Sequence, residues 1–493
     1  YEIMPSLVGS EMCIRDRTRF APSPTGYMHI GNLRTALFEF LIAKHEGGDF
    51  LLRIEDTDQE RKVEGAVDVI YKTLKECGLN WDEGPDIGGD FGPYVQSERL
   101  PMYKGYAEDL IKLGGAHYCF CSEEEIEAQR KEAESLGISF KFNDPCKHLS
   151  AEEVQAKLDA GEPYVIRQTI KDVGETYFDD EVYGRIEVDG DVLDEQILIK
   201  SDGYPTYNFA NIIDDHQMQI SHVVRGNEYL SSTPKYNLIY DAYGWQRPTY
   251  VHVPPVMKDE HHKLSKRNGD ASFQDLVAKG YLPDAIMNYI ALLGWAPETE
   301  QEIYTLDELI KVFNIHRISK SPAIFDIDKL TWMNGVYLRN MDEETYYETV
   351  RPYLEKAVHG PYNLKEIAKI IQPRIDILNQ IEESVDFFDT LVDYDLEMYR
   401  HKKMKTTPEV ALKALKASKQ TLEAFDQWDS MDALHECLLA LPKELEMKNG
   451  QVLWPIRTAV SGKQFTPGGA IEIAFILGKD ETCLLYTSPS PRD

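Results

Sequence analysis

Two short stretches, far apart in the chain, hold the residue types that phosphate chemistry needs. MHIGN (Met28–Asn32) sets a histidine and a glycine at the start of an apolar-periodic segment. A helix N-terminus presents unpaired N–H groups and a positive dipole end, which suits a phosphate. His29 can donate to that phosphate, Gly31 leaves out the Cβ that would bar a nucleotide, and Asn32 can cap the helix. The second stretch, HHKLSKRNGD (His261–Asp270), gathers Lys263, Ser265, Lys266 and Arg267 just ahead of Gly269. A basic loop of this kind can close on the phosphates of ATP and neutralise charge as it develops. Singly, each stretch has a plainer reading: a loop histidine beside a turn glycine, and a solvated basic turn. Neither GxxxxGK nor GxGxxG occurs, so no P-loop or dinucleotide fingerprint contributes.

A third cluster is built from sulfur. Cys119 and Cys121 of CFC are followed by Cys146 and His148 of CKH. Three thiols and an imidazole would satisfy tetrahedral zinc; reduced cysteines without metal are the alternative.

These groups need elements to hold them. TRFAPS (Thr18–Ser23) reads as a short strand entering a loop, and the helix after it turns Leu33, Ala36, Leu37, Phe40 and Leu41 to one face before Gly47 and Gly48 stop it. DFLLRIED (Asp49–Asp56) is an apolar run bounded by charge, as in a buried parallel strand. Strand, helix and strand make a βαβ unit, and ligands bind beyond the carboxyl ends of such strands, where MHIGN and EDTD fall. ILIKSDGYPTYNFANIIDD (Ile197–Asp215) reads as strand, turn and helix, and HVVRGNEYL (His222–Leu230) as a buried strand end. Residues 115–200 alternate short strands with charged helices, one capped by a Ser150–Glu153 box, and look like an inserted α/β domain. After Asp270 the chain turns mainly helical, with Thr407 as a cap and Pro408 at the first helical position of TTPEVALKALKASKQTLEAF.

Composition narrows the class. A chain of 493 residues accommodates about three or four domains. Its formal charge of -31 argues against non-specific coating of nucleic acid, and no apolar run reaches the roughly 18 residues of a membrane helix. Seven cysteines without regular spacing do not make a secreted disulfide scaffold. The two ends stand apart. One nucleotide string encodes LVGSEMCIRD (Leu7–Asp16), and its reverse complement in another frame encodes most of CLLYTSPSPRD (Cys483–Asp493). The pair resembles translated sequencing-library adapter, so residues 1–17 and 483–493 are set aside from the fold.

HIGN and KLSKR together resemble the paired signatures of class I aminoacyl-tRNA synthetases. With RFAPSPTGYMHIGN, LRIEDTDQER, GPYVQSER, SDGYPTYNFANIIDDH and KLTWMNG in order, the stretch from Thr18 to Thr482 resembles the bacterial glutamyl-tRNA synthetases. HIGN stands where the wider class has HIGH, and KLSKR where it has KMSKS; both variants are usual in this family. The resemblance implies an α/β fold: a Rossmann-type catalytic domain in two halves (18–114 and 201–260), an inserted acceptor-binding domain (115–200), a stem-contact region carrying KLSKR (261–333), and an all-helical anticodon-binding domain (334–482). It implies that glutamate is joined to tRNA(Glu), with tRNA(Gln) as a further candidate acceptor, through a glutamyl-adenylate made from ATP with Mg²⁺. A monomer in the cytoplasm, with no membrane partner, is expected.

Carried over residue by residue, the resemblance makes Arg19, Ala21, Ser23, Glu55, Tyr207, Asn211 and Arg225 the glutamate site. Arginines would grip carboxylates through paired N–H bonds and Glu55 would take the ammonium. Which arginine takes the side-chain carboxylate stays open, and a structural ion-pair network is the other reading of these charges. His29, Lys263 and Lys266 are the expected catalytic groups, with Gly31, Asn32, Ser265 and Arg267 also at ATP. Some relatives bind zinc in the inserted domain with a tyrosine four residues before the last cysteine; Phe142 stands there, so either His148 replaces it or the site is empty. Arg374 of IIQPRIDIL falls where the family reads the last anticodon base. Arg400–Lys419 holds seven Lys/Arg against one Glu, which suits RNA or a solvated helix face. A catalytically dead RNA-binding relative, the short paralogue that modifies a tRNA base, and a glutaminyl-tRNA synthetase are the rival readings. The intact site residues, the helical stretch after Asn334 and Arg225 count against them in turn.

Overall fold

The computed structural model describes residues 16–57, 63–171, 174–264, 272–391 and 394–485. Two compact units divide them: one takes residues up to Leu276 with Ile286–Asp326, the other Val277–Ala285 with Ile327 onward.

The first unit is organised around short parallel strands. β1 (Arg17–Phe20) pairs in parallel with β2 (Asp49–Leu52), Arg19 opposite Leu51. Helix Ile30–His45 makes the crossover. Its expected apolar face is buried, and so are Phe38, Ile42 and Ala43, because the helix is covered nearly all round. Each such Leu or Phe contributes about 1.5–3 kcal/mol of burial. The helix begins earlier than the cap expectation placed it. His29, still in extended conformation, is the N-cap, and Asn32 lies exposed in the first turn. Gly47, with φ of +68°, follows the helix end; a Cβ on Gly48 would fall 1.9 Å from the Asp16 carbonyl oxygen, so this close approach requires glycine.

Further along come β3 (Ala116–Cys119), β4 (Val165–Gln168), β5 (Glu175–Asp180), β6 (Gly184–Asp189), β7 (Ile197–Ile199), β8 (His222–Gly226) and β9 (Thr249–Val253). β3, β4 and β7 form an antiparallel sheet with the helices Glu123–Leu136 and Ala151–Asp159, the latter capped by the expected Ser150–Glu153 box. The hairpin β5–β6 does not join that sheet, although its sequence lies between β4 and β7. It adds to β9 and β8 in the order β6-β5-β9-β8, with β5, β9 and β8 parallel. The Ser221 amide donates to the Arg17 carbonyl at 2.9 Å and ties the start of β8 to β1. The tie joins the amino ends of β1 and β8; Arg19 and Arg225 lie toward their carboxyl ends, the side on which open α/β folds bind ligands.

The second unit is helical. One core gathers Tyr346, Val350, Leu354, Ile367, Ile371 and Ile381; another gathers Ala414, Leu422, Leu438, Val452, Ile456 and Ala474. Thr407 caps helix Pro408–Ala424 with proline at its start, as the sequence predicts.

The adapter-like segments overlap the fold at their inner edges. Arg17 opens β1 and pairs with Asp49 (2.8 Å) and Glu83 (3.0 Å), while the helical stretch Ala470–Leu485, kinked at Gly478, continues past residue 482. Residues 1–15 and 486–493 lie outside the described residues.

Candidate active site

Four elements converge on a buried charged cluster. Loop 21–23 runs beside the end of β2, held by backbone bonds from Arg53 to Phe20 (2.9 Å) and from Glu55 to Pro22 (3.1 Å). This places half-buried Ala21 and exposed Ser23 alongside Glu55. Helix Tyr207–Gln217 aligns Tyr207, Asn211 and Asp215 at four-residue intervals, hence on one face. Tyr207 is 38 % exposed, its ring 5.5 Å from that of Tyr229, whereas Asn211 is buried and its Nδ2 has no hydrogen-bond partner among the described residues. An orphaned buried donor costs about 1–3 kcal/mol unless a ligand accepts from it.

The two arginines expected to grip glutamate are in unlike states. Arg19 is already engaged. Its Nε and Nη2 donate to the two oxygens of Asp215 at 2.8 and 3.0 Å, and its Nη1 donates to Glu39 at 3.0 Å. Arg53 shares Asp215 (2.7 Å) and donates to Glu55 (2.9 Å). Burial pushes the Glu39 and Glu55 carboxyls above their ordinary values against the pull of these cations. Asp215 goes the other way: burial pushes it up, but two guanidiniums outweigh that and hold it below the usual carboxylate range. Arg225 instead has no carboxylate partner among the described residues. Its Nε donates to His252 Nε2 (3.0 Å), its Nη2 to Thr233 Oγ1 (2.7 Å), and Tyr229, Tyr236 and Tyr250 surround its plane with ring centres at 5.2, 4.8 and 5.4 Å. A guanidinium 7 % exposed, with neutral partners only, is a ready receptor for an anion.

The two motifs touch at His29 and Leu264. His29 Nδ1 accepts the Gly31 amide (3.0 Å), so Nε2 carries the proton, and Nε2 lies 3.0 Å from the Leu264 carbonyl within KLSKR. His29 also bridges to Ser272, and Lys263, exposed, bridges to Met257. A Cβ on Gly31 would come within 3.2 Å of His29 Nδ1, so this glycine keeps the histidine cap in place as well as opening the loop. Ser265, Lys266 and Arg267 lie outside the described residues.

The metal-ligand set needs correction. Ligand atoms of Cys119, Cys121, Asp144 and Cys146 all lie within 4.8 Å of one another, and His148 is not among them. Asp144 caps the turn Pro145–His148 by accepting the Cys146 amide (2.9 Å), which sets its carboxylate beside the thiols and leaves His148 exposed at the far end. Phe142 packs under the Arg167 guanidinium at 4.8 Å. The donor set fits zinc: Cys121 Sγ and Cys146 Sγ are 3.7 Å apart, against about 3.8 Å for the edge of a zinc–sulfur tetrahedron. His117 Nε2 (2.9 Å) and Arg167 Nε (3.5 Å) hold Asp144 from behind, an outer shell of the kind that orients ligands. Without metal, burial first and then the bond to Asp144 push the Cys119 thiol up to about 11.

Sequence reading missed Arg53, Glu39, Asp215, Asp144 and His252. Asp215 was within reach: it continues the four-residue spacing from Tyr207 and Asn211. In the helical unit, Arg374 is exposed on the turn after helix Leu364–Ile371.

Comparison with known proteins agrees with this geometry. The family profile "tRNA synthetases class I (E and Q), catalytic domain" matches residues 16–332, and "Anticodon binding domain" matches 345–484. A glutamate–tRNA ligase of Clostridium botulinum is 60% identical over 466 residues, covering 94% of this chain and 96% of that one. Another, from Clostridium tetani, is 59% identical over the same length, with 94% and 95% covered. A crystal structure of a glutamate tRNA ligase from Elizabethkingia meningosepticum in complex with its amino acid superposes with a TM-score of 0.87 at 34% identity, covering 96% of this chain and 98% of that one. By fold, by signature motifs and by this likeness over nearly its whole length, the chain belongs to the class I aminoacyl-tRNA synthetases, in the glutamate–tRNA ligase family.

Proposed function

We propose that the chain activates L-glutamate with ATP and transfers it to the 3′-terminal ribose of tRNA(Glu), with Arg225 as the receptor for a substrate carboxylate. The observation that carries this assignment is the buried Arg225 guanidinium, which meets only neutral partners among the described residues. Arg19 acts by a different route: paired to Asp215 and Glu39, it braces the pocket wall and completes its charge balance. Glu55, engaged by Arg53 through Oε1, offers its other oxygen to the substrate ammonium, and Asn211 Nδ2 donates to a substrate oxygen. Activation forms a bond from the α-carboxylate oxygen to the α-phosphorus of ATP while the bond to pyrophosphate breaks. The protein contributes chiefly position and cation placement. His29, anchored between Gly31 and Leu264, and Lys263 face the phosphates, with Lys266 as the further expected cation; Mg²⁺ supplied with ATP would share the phosphate charge. The adenylate then passes to the tRNA hydroxyl and AMP leaves. Residues 115–200 and 261–333 are read as the acceptor and stem contacts, and 334–482, with Arg374, as the anticodon reader.

Labelled glutamate and glutamine offered with separate tRNA(Glu) and tRNA(Gln) pools test the proposal. Glutamate is expected on tRNA(Glu) and glutamine on neither; the tRNA(Gln) arm reports whether the enzyme discriminates between the two tRNAs. If neither glutamyl-adenylate nor glutamyl-tRNA forms, the non-enzymatic RNA-binding reading stands instead.

The cysteine cluster is proposed as a structural zinc site with Asp144 as its fourth ligand. Metal analysis of the purified chain should find stoichiometric zinc, lost in Cys146→Ser and weakened roughly 10–100-fold or more in Asp144→Ala. His148→Ala should keep it. Retention in Asp144→Ala with loss in His148→Ala would return the site to the sequence-based ligand set.

A further inference from the structure

We infer that Asp180 and His252 form a positioning pair that sets the hydrogen-bonding face of Arg225, and through it the enzyme's affinity for glutamate. The inference rests on the reading that Arg225 receives a substrate carboxylate.

The chain of contacts runs through three strands. Asp180 ends β5, His252 lies on β9, and Arg225 lies opposite His252 on β8. Asp180 has both oxygens filled by donors: Oδ1 accepts the amides of Val182 (3.0 Å) and Tyr183 (2.8 Å), and Oδ2 accepts the His252 amide (3.1 Å) and Nδ1 (2.7 Å). A carboxylate accepts only, so His252 Nδ1 must carry a proton. Arg225 Nε can only donate, so Nε2 facing it bears a lone pair and the ring is neutral; burial, which lowers the His252 pKa below its ordinary value, acts in the same sense. That lone pair accepts Arg225 Nε–H at 3.0 Å. Thr233 donates its own hydroxyl proton to the Tyr229 carbonyl (2.8 Å), so its oxygen is likewise an acceptor for Arg225 Nη2 at 2.7 Å.

Two fixed acceptors thus occupy one edge of the guanidinium. The Nη1 group makes no hydrogen bond among the described residues, and Nη1 with the remaining Nη2 proton forms the outward pair suited to a carboxylate. Histidine in the other tautomer would aim N–H at N–H and push Arg225 off this setting. Asp180 decides the tautomer, and it does so from the hairpin β5–β6, which the chain order places within the inserted segment.

The test uses the full-length enzyme and reads glutamate KM and ATP KM separately. In Asp180→Asn, the amide carbonyl can keep the Val182 and Tyr183 amides only by turning its NH₂ toward His252, which gives up the bond from the His252 amide. That forces Nδ1 to accept and moves the proton to Nε2. Glutamate KM is expected to rise about tenfold or more, the equivalent of one misdirected hydrogen bond to a charged group, with ATP KM unchanged. Nitrogen NMR of labelled histidine should show the His252 proton on Nε2. His252→Gln, which can keep an acceptor oxygen near Nε2, should raise glutamate KM less than His252→Leu, which removes it; this pair carries the test if Asp180→Asn does not fold. Arg225→Lys is run beside them. A raised glutamate KM in Arg225→Lys with wild-type values in Asp180→Asn or His252→Leu overturns the positioning role while leaving the Arg225 reading intact. A wild-type glutamate KM in Arg225→Lys overturns that reading and the inference with it. Parallel rises in glutamate and ATP KM in the Asp180 and His252 variants, with equal effects of Gln and Leu, would mark a merely structural role.

Discussion

Arg225→Gln is expected to lower kcat/KM for glutamate by about two to three orders of magnitude, while KM for ATP holds. The wild-type guanidinium can give a carboxylate two parallel charged bonds inside an aromatic enclosure, and bonds to charged groups contribute roughly 1.5–3 kcal/mol each. At about 1.4 kcal/mol per factor of ten, losing most of that pair yields the stated range. Glutamine at the position keeps polarity but loses charge and one donor geometry. The preference for glutamate over glutamine should therefore narrow together with the rate, because a neutral amide no longer meets a cation it fails to neutralise. Steady-state pyrophosphate exchange or aminoacylation with each amino acid measures both effects. A variant that keeps the full glutamate preference would sink the assignment.

Asp215→Ala carries the largest expected effect on stability. Its carboxylate serves both Arg19 and Arg53, at 2.8 and 2.7 Å, and all three side chains are at most 5 % exposed. Removing it strands buried positive charge, which costs about 3–5 kcal/mol in comparable sites. An exposed pair sets the scale: Arg400 and Glu397 lie 2.7 Å apart but are 57% and 64% exposed, and breaking such a pair costs at most about 1 kcal/mol. Burial, not distance, separates the two. Acid provides a second signature. The Asp215 carboxyl is held below its ordinary value in the folded state, so its contribution is complete above the unfolded value of about 4 and fades as pH falls through the folded one. The stability gap between wild type and Asp215→Ala in urea unfolding should therefore shrink with acidification. A gap below about 1 kcal/mol at neutral pH would show that the network is not coupled through Asp215.

How much of this was legible in advance varied with the range of the interaction. The crossover helix, its buried face, the Ser150–Glu153 box and the Thr407–Pro408 start depend on residues within a few positions of one another, and sequence spacing reports these directly. The helix is capped at His29 rather than Asn32 because an unprotonated ring nitrogen can accept the Gly31 amide as a side-chain oxygen would, whereas residue preference favours asparagine. The cysteine cluster shows a related effect: spacing sees His148 two residues beyond Cys146, while the turn that Asp144 caps leaves that histidine exposed and brings the Asp144 carboxylate to the thiols.

The motifs themselves named the chemistry. HIGN and KLSKR pointed to phosphate chemistry, because helix starts and basic loops suit phosphates; adenylate formation and the glutamate-site charges followed from their resemblance to the family's signatures. Tertiary structure decided how the charges are divided. Arg19 and Arg225 look alike as sequence, yet one is neutralised by Asp215 and Glu39 while the other, among the described residues, hydrogen-bonds only to His252 and Thr233. That difference depends on which side chains arrive from positions up to 196 residues away, and on strand β5 crossing to the catalytic sheet. Local propensity cannot specify such a meeting. It follows from the long-range register of parallel strands, which the chain adopts only as its whole core is buried.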